Sequence, residues 1–132
     1  MIKKPNLKII KIFNAKDRLN ELDEVPRLEF EEEKIDYWLA SKLLCEKDGG
    51  RLPTMKELAE IASYVYQTNF EKYDNKCNLE IKNELIPLGD YWSSSEFTAT
   101  DAYYRLFGSA DSPCGRYRTR GYSSIRALCV CD

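Results

Sequence analysis

The sequence predicts an α+β domain in which two helices precede a group of antiparallel strands. Apolar residues recur at helical spacing between about residues 35 and 65. Beyond residue 90, aromatic and β-branched runs are separated by Gly, Ser and Pro, which is the pattern of short strands joined by turns. Segregated helices and strands do not produce the alternating order of a parallel α/β sheet. The length of 132 residues is that of one domain, so we predict a single domain over residues 1–132.

Two short strands are predicted before the helices. Residues 7–13 and 27–31 are rich in β-prone side chains, and Pro26 interrupts the segment between them. We therefore interpret residues 1–30 as an N-terminal strand pair.

The two helices carry clear start and stop signals. The first is predicted from about Ile35 to Asp48, and the glycines after Asp48 favour a C-cap. Its apolar stripe consists of Trp38, Leu39, Leu43 and Leu44. The second begins after Pro53, because Thr54 and Glu57 have the spacing of a capping box. Its apolar stripe consists of Leu58, Ile61, Ala62 and Val65.

The second half of the chain is predicted to form the sheet. Residues 68–90 are polar and suggest a long connection with a short strand near Leu85 and Ile86. The predicted strands that follow are Tyr91-Trp92, 102–107, 116–119 and 125–131.

Charge and hydropathy exclude several classes of protein. The net charge of −2 gives no whole-chain argument for nucleic-acid binding, which usually requires a basic balance. The first 17 residues contain no apolar run of signal-peptide length, and 18 consecutive apolar residues occur nowhere. We expect neither a nucleic-acid partner nor a membrane span, and the sequence by itself assigns no location.

The cysteines leave two interpretations open. There are five, at Cys45, Cys77, Cys114, Cys129 and Cys131. None forms a C-x-x-C pair and the chain has no histidine, so we expect no zinc site and no other cofactor. An odd count permits at most two intramolecular disulfides and leaves one thiol. Five reduced, mostly buried cysteines in a reducing compartment are equally compatible with the count.

The composition changes abruptly after residue 97. Residues 1–97 contain 12 Lys and 13 Glu, whereas residues 98–132 contain neither, and also lack Gln, Met and Trp. The last 35 residues instead hold five of the eight arginines, with many Tyr, Ser, Thr and Gly, and carry a net charge of +2 against −4 for the rest. Sheets disfavour Lys and Glu, which explains a deficit but not a complete absence of five residue types. Tyr, Ser, Gly and Arg are also the residues that binding surfaces favour.

Candidate binding residues lie within this last stretch. Arg116, Arg118 and Arg120 alternate with Tyr117 and Thr119, so on a strand the three guanidinium groups would share one face. Such a ridge could bind carboxylates or phosphates, or it could be a solvated strand face. The other residues expected on the exposed surface are Thr98, Thr100, Asp101, Tyr104, Ser109, Asp111, Ser112, Tyr122, Ser123 and Ser124. The large aromatics expected in the core are Trp38, Trp92, Tyr103 and Phe107.

No catalytic pattern is found. The serines at 93–95 have no histidine base anywhere in the chain and no G-x-S-x-G elbow. The acidic run at residues 31–33 is most simply solvated, and no G-x-x-x-x-G-K-[ST] phosphate loop occurs. We therefore expect a protein that is not an enzyme.

Four segments carry a resemblance to a known family. They are ASKLLCEKDGGRLPTMKEL (40–58), DYWSSSE (90–96), AYYRLF (102–107) and RALCV (126–130). Together they resemble a prokaryotic C-type-lectin-like family over roughly residues 35–132. The resemblance implies the C-type lectin fold, with a disulfide between a first-helix cysteine and a last-strand cysteine, here Cys45 and Cys129. It suggests Cys77 with Cys114 less strongly, and Cys131 leaves the last pairing open.

Some members of this family resemble variable proteins of diversity-generating retroelements. In those systems template adenines are mutated, so that AAC and AAT codons become many others. Changing the first two bases of such codons never yields Lys, Glu, Gln, Met or Trp, all of which are absent after residue 97. The resemblance thus implies a variable ligand-binding region at residues 98–126, while Ala102, Phe107, Gly108 and the last strand belong to the scaffold.

The resemblance also shapes the functional expectations. The Glu-Pro-Asn, Gln-Pro-Asp and Trp-Asn-Asp motifs of calcium-dependent sugar-binding lectins are absent, so we do not expect calcium-mediated sugar recognition. The leading hypothesis is a receptor-recognition domain for a protein or cell-surface ligand, for which a cell surface or a virion would be a fitting location. The alternative is a pilin-like or tail-fibre subunit with the same fold and no diversified site. A catalytic domain resembling the formylglycine-generating branch is disfavoured because such domains are much longer.

Overall fold

The computed structural model describes residues 3–66, 86–87, 89–107 and 115–132. Two helices and antiparallel sheets are present, which confirms the predicted α+β class. The helices are α1 (Tyr37–Lys47) and α2 (Met55–Tyr66). The strands are β1 (Lys8–Phe13), β2 (Arg27–Leu28), β3 (Glu31–Ile35), β4 (Gly89–Glu96), β5 (Asp101–Phe107), β6 (Gly115–Thr119) and β7 (Ala127–Cys131). Most of the connection predicted over residues 68–90 lies outside the described residues.

The described strands form three antiparallel groups, namely β1–β7, β2–β3 and β4–β5–β6. The expected N-terminal strand pair is therefore wrong, because β1 pairs with the last strand and β2 pairs with β3. The physical reason lies in β7, whose residues 127–130 are completely buried. Such a strand needs an apolar partner, and β1 supplies Ile10 and Ile12, which pack against the core.

Helix α1 begins and ends where the sequence predicts. The backbone N–H of Leu39 donates to the Asp36 carboxylate at 2.9 Å, so Asp36 is the N-cap. The helix ends at Lys47 with Asp48 as its C-cap, and Gly49 follows with φ of +90°, a conformation that favours glycine. Its buried face includes Trp38 and Leu44, as predicted.

Helix α2 begins with the predicted capping box. The backbone N–H of Glu57 donates to Thr54 Oγ1 at 3.0 Å, and that of Thr54 donates to Glu57 Oε1 at 2.8 Å. Arg51 contacts both oxygens of the same carboxylate at 2.7 and 2.8 Å and is the main reason that the pKa of Glu57 is lowered. The helix start is thus held by two backbone donors and one guanidinium group.

Removing the hydroxyl of Thr54 tests this capping box. We expect Thr54→Ala to lower the free energy of unfolding by about 1 kcal/mol, because the Glu57 N–H loses its acceptor. Urea denaturation followed by circular dichroism would measure the change. Thr54→Ser keeps the hydroxyl and should lie within about 0.5 kcal/mol of the native protein. Equal stability of the alanine and serine variants would contradict the capping role.

The core consists of two packed groups. In the first, α2 contributes Leu58 and Ile61, which pack with Tyr91, Phe107 and Leu128. In the second, α1 contributes Trp38, which packs with Trp92 and Ile125 of the sheet region. The predicted core positions of Trp38, Trp92 and Phe107 are confirmed, with exposed fractions of 1% or less.

A disulfide joins Cys45 of α1 to Cys129 of β7, as the family resemblance implied. Both cysteines are completely buried. The suggested pair of Cys77 and Cys114 lies outside the described residues, and Cys131 is a free, partly buried thiol. Neither described helix has the length and apolar character needed to cross a bilayer.

Gly50 lies where the backbone of β7 leaves no room for a side chain. A Cβ atom there would be 2.5 Å from Ile10 Cδ1 and 2.6 Å from the carbonyl oxygen of Val130. We expect Gly50→Ala to lower the free energy of unfolding by about 1–3 kcal/mol, because the Val130 backbone must shift. Thermal denaturation would measure it. Gly49→Asn is the comparison, since Gly49 has open space but a φ of +90°, so any loss there comes from backbone conformation and not from a clash. An unchanged stability of Gly50→Ala would contradict the steric explanation.

Candidate ligand-binding surface

Phe97 and several side chains of the predicted variable region gather around β6. We define the β6 surface as Phe97, Arg116, Tyr117, Arg118 and Tyr122. Residues 116–119 are all exposed, and β6 is the edge strand of the β4–β5–β6 sheet. The hairpin loop before β5 and the turn after β6 adjoin this strand.

The pairing of β5 with β6 fixes which side chains share a face. Tyr117 lies opposite Tyr103, whereas Arg116 lies opposite Tyr104 and Arg118 lies opposite Ala102. Because side chains alternate along a strand, Arg116 and Arg118 share one face and Tyr117 occupies the other. The predicted common face is confirmed for these two arginines.

Aromatic rings cover one face of the β6 surface. The rings of Phe97 and Tyr117 are stacked, with centroids 4.1 Å apart and an interplanar angle of 17°. Tyr103 meets both rings edge-on, at 5.4 Å from Phe97 and 6.3 Å from Tyr117. Phe97 is 44% exposed and Tyr117 is 53% exposed, so their packing leaves much apolar area in contact with solvent. Exposed, preorganised rings of this kind provide large contact area at low entropic cost.

Phe97 was missed because the compositional break was placed after residue 97, although the last of the five missing types is Glu96 and Phe97 is the first residue of the depleted stretch. A signal was present, since an aromatic residue next to a predicted turn has no core neighbours in sequence. Tyr103, which was expected in the core, is only partly buried because it packs under the Phe97 and Tyr117 rings.

The opposite face of the β6 surface is cationic. Arg116, Arg118 and Tyr117 line a pocket of about 260 Å³ with Tyr104. The Arg118 guanidinium lies 4.1 Å from the centroid of the Tyr122 ring, a cation–π contact that orients it. Neither arginine forms an ion pair with any described residue. The half-buried Asp90 interacts with Arg118: burial raises the pKa of Asp90, and the charge of Arg118 lowers it.

Tyr104 does not belong to the exposed surface, contrary to expectation. Its exposed fraction is 7%, and its ring packs edge-on against Trp92 with centroids 6.4 Å apart. Burial, with a smaller contribution from Asp90, raises the pKa of its hydroxyl group. The reason is the register: Tyr104 lies opposite Trp92 on the side of β5 that faces the core, so it contributes to the pocket only from beneath.

Arg120 is also buried, at 8% exposed, and does not extend the arginine ridge. Strand β6 ends at Thr119, and Arg120 turns inward to form a bidentate ion pair with the buried Asp36. Its guanidinium lies 4.5 Å from the centroid of the Trp38 ring and 3.5 Å from a carboxylate oxygen of Glu96. The prediction of a surface role for Arg120 is therefore wrong, because the side chain anchors α1.

The predicted residues of the β4–β5 loop bond to one another. Thr98 Oγ1 accepts hydrogen bonds from the backbone N–H of Thr100 at 3.2 Å and of Asp101 at 3.0 Å, and lies 3.3 Å from an Asp101 carboxylate oxygen. These bonds close a short side-chain turn that sets the position of the neighbouring Phe97. Thr98 is exposed, while Thr100 and Asp101 are partly buried.

The remaining predicted residues are distributed around these elements. Thr119 is exposed at the end of β6, and its hydroxyl accepts from the backbone N–H of Gly121 at 3.2 Å. Ser124 is exposed and Ser123 is partly buried in the turn before β7. The predicted residues Ser109, Asp111 and Ser112 lie outside the described residues.

The arrangement is suited to contact with a ligand that has both apolar and anionic groups. The first serine of the 93–95 run, Ser93, is buried and donates its hydroxyl to the carbonyl of Tyr103 at 2.9 Å, a structural contact. Among the described residues no group of His, Cys, Asp or Glu side chains is placed to hold a metal ion.

Comparisons of this chain with protein-family models, with curated proteins and with solved structures found no match.

Proposed function

We propose that this chain is a ligand-binding domain that displays a sequence-variable surface on a C-type lectin scaffold and is diversified by a retroelement. The observation that carries the proposal is the coincidence of two independent features. The exposed side chains of Arg116, Tyr117 and Arg118 lie on β6, and β6 lies inside the longest stretch of the sequence that lacks Lys, Glu, Gln, Met and Trp together. Composition and exposure thus select the same surface.

Features of the scaffold support the same proposal. A disulfide from the first helix to the last strand, and two helices packed on antiparallel strands, are the arrangement that the family resemblance implied. All of these elements lie outside or beneath the β6 surface. Substitutions at exposed positions of β6 would therefore leave the core contacts intact.

The coding sequence tests the proposal. We expect a near-identical repeat of the segment encoding residues 98–126 beside a reverse-transcriptase gene, differing only where the repeat has adenine. The differences should fall on exposed positions such as Arg116, Tyr117 and Arg118, and should spare the buried Tyr104 and Arg120. Absence of such a repeat, or differences concentrated at buried positions, would overturn the diversification.

The codons themselves provide a second, simpler observation. A variable position derived from AAC or AAT keeps its third base, so we expect the codons of Arg116 and Arg118 to end in C or T. Arginine codons ending in A or G at both positions would contradict diversification there. Sequencing the coding strand shows whether these two arginine codons end in C or T, or in A or G.

A further inference from the structure

Among the described strands, β6 has an unpaired hydrogen-bonding edge up to Thr119, whose carbonyl accepts from the backbone N–H of Tyr122 at 3.1 Å. It is paired on one side with β5, and no described strand pairs with its other side. Unpaired edges of this kind can accept an additional strand. The side chains of residues 116–119 are exposed, so none of them is covered by the rest of the described chain.

The hydrogen-bond ladder identifies which backbone groups point outward. The backbone N–H of Arg120 donates to the carbonyl of Thr100 at 2.7 Å. Thr100 and Arg120 are therefore a hydrogen-bonded pair. The next pair along the ladder, Asp101 and Thr119, is a non-hydrogen-bonded pair. The alternation of the ladder then makes Arg116 and Arg118 the residues bonded to β5. The N–H and C=O of Tyr117 consequently point to the open edge.

An added strand would meet different chemistry on its two faces. On one face its side chains would approach the stacked rings of Phe97 and Tyr117. On the other face they would approach the guanidinium groups of Arg116 and Arg118 and the pocket between them. The half-buried Asp90 interacts with Arg118 and offsets part of this positive charge.

A second copy of this chain does not fit the same edge. Antiparallel pairing of two β6 strands centred on Tyr117 would place Arg116 of each copy opposite Arg118 of the other. Like charges directly opposite each other on a sheet are destabilising. The charge pattern therefore disfavours self-pairing and favours an acidic partner strand.

We propose that β6 binds an extended segment of a protein ligand as an added strand, in which an aromatic residue opposite Tyr117 is flanked on both sides by Asp or Glu. This rests on the proposed function and specifies the kind of partner. The central residue exchanges both backbone hydrogen bonds with Tyr117, and its ring packs on the aromatic face. The flanking carboxylates form charge-assisted hydrogen bonds with Arg116 and Arg118.

Synthetic peptides test the proposal with the full chain. The probe is acetylated, amidated and fluorescently labelled Thr-Glu-Phe-Glu-Thr, and binding is measured by fluorescence anisotropy. Replacing both Glu with Lys should weaken binding at least about 10-fold, because attraction becomes repulsion. The variant R116E/R118E should reverse this preference, and circular dichroism would check that its fold is retained.

N-methylation separates strand addition from side-chain docking. A methyl group on the Phe nitrogen removes the N–H that faces Tyr117, whereas a methyl group on the nitrogen of the first Glu lies on the outer edge. We expect the first change to weaken binding at least about 10-fold and the second to have less than a threefold effect. Equal effects of the two methyl groups, or no binding preference for the Glu peptide over the Lys peptide, would overturn the proposal. The coding-sequence test is independent of these peptides, so failure of strand addition is distinguishable from failure of the proposed function.

Discussion

Replacing Arg120 with methionine is expected to lower the free energy of unfolding by about 3–5 kcal/mol, because it leaves a buried carboxylate without its partner. The side chains of Arg120 and Asp36 are 9% and 3% exposed, and the guanidinium bonds to both carboxylate oxygens. Methionine fills similar volume, so the change removes charge and hydrogen bonds more than packing. Urea denaturation monitored by tryptophan fluorescence would measure the loss, since Trp38 lies against Arg120.

A matched control separates burial from charge. Arg118→Met removes an arginine from the same region, but Arg118 is exposed and lacks an ion pair with any described residue, so we expect a change within about 0.5 kcal/mol. The double variant D36N/R120M should be less destabilised than the sum of its single changes, because neither group is then left charged alone. Equal stability of the Arg118 and Arg120 variants would contradict the anchoring role.

The position of Arg120 explains how the candidate surface is held in place. Its carbonyl oxygen accepts from the backbone N–H of Tyr37 at 2.8 Å, and its own N–H donates to Thr100. One residue at the end of β6 thus joins the first turn of α1 to the β4–β5 loop. Because these contacts already fix the backbone at the end of β6, the neighbouring aromatic and arginine side chains lose less conformational entropy when a ligand binds.

The elements with local signals were predicted from the sequence. The capping box at Thr54 and Glu57, and the apolar spacing of α2, depend on contacts within one turn of helix, so they could be identified without tertiary information. The strands from β4 onward follow from aromatic and β-branched runs for the same reason. The Cys45–Cys129 disulfide could be proposed only through the family resemblance, because a count of five cysteines does not determine pairing.

The features that were missed depend on long-range contacts. Arg120 resembles Arg116 and Arg118 in sequence, and only Asp36, 84 residues away, decides that it is buried. Pairing of β1 with β7 joins the two ends of the chain, and no local pattern distinguishes it from pairing with β2. The burial of Tyr104 could not be predicted either, since it depends on which side of β5 faces the core.

Removal of the disulfide is expected to have the second large effect. The bridge joins cysteines separated by 84 residues, so in the chain-entropy description its loss enlarges the unfolded ensemble and lowers the free energy of unfolding by about 2–5 kcal/mol. We expect this loss in a C45A/C129A variant, measured by thermal and urea denaturation without reductant. Cys131→Ala changes a free thiol and should stay within about 0.5 kcal/mol of the native protein.

The same measurement bears on how the proposed variable surface would be tolerated. The closed loop contains the whole β6 surface, while both of its ends lie in the buried core at α1 and β7. If substitutions on β6 slightly lower the free energy of unfolding, the stability contributed by the disulfide keeps the protein folded. In the C45A/C129A background the exposed change Arg116→Asp should therefore raise the unfolded fraction measurably at 37 °C, whereas in the native background it should not. An equally stable C45A/C129A variant would show that the core alone holds the scaffold.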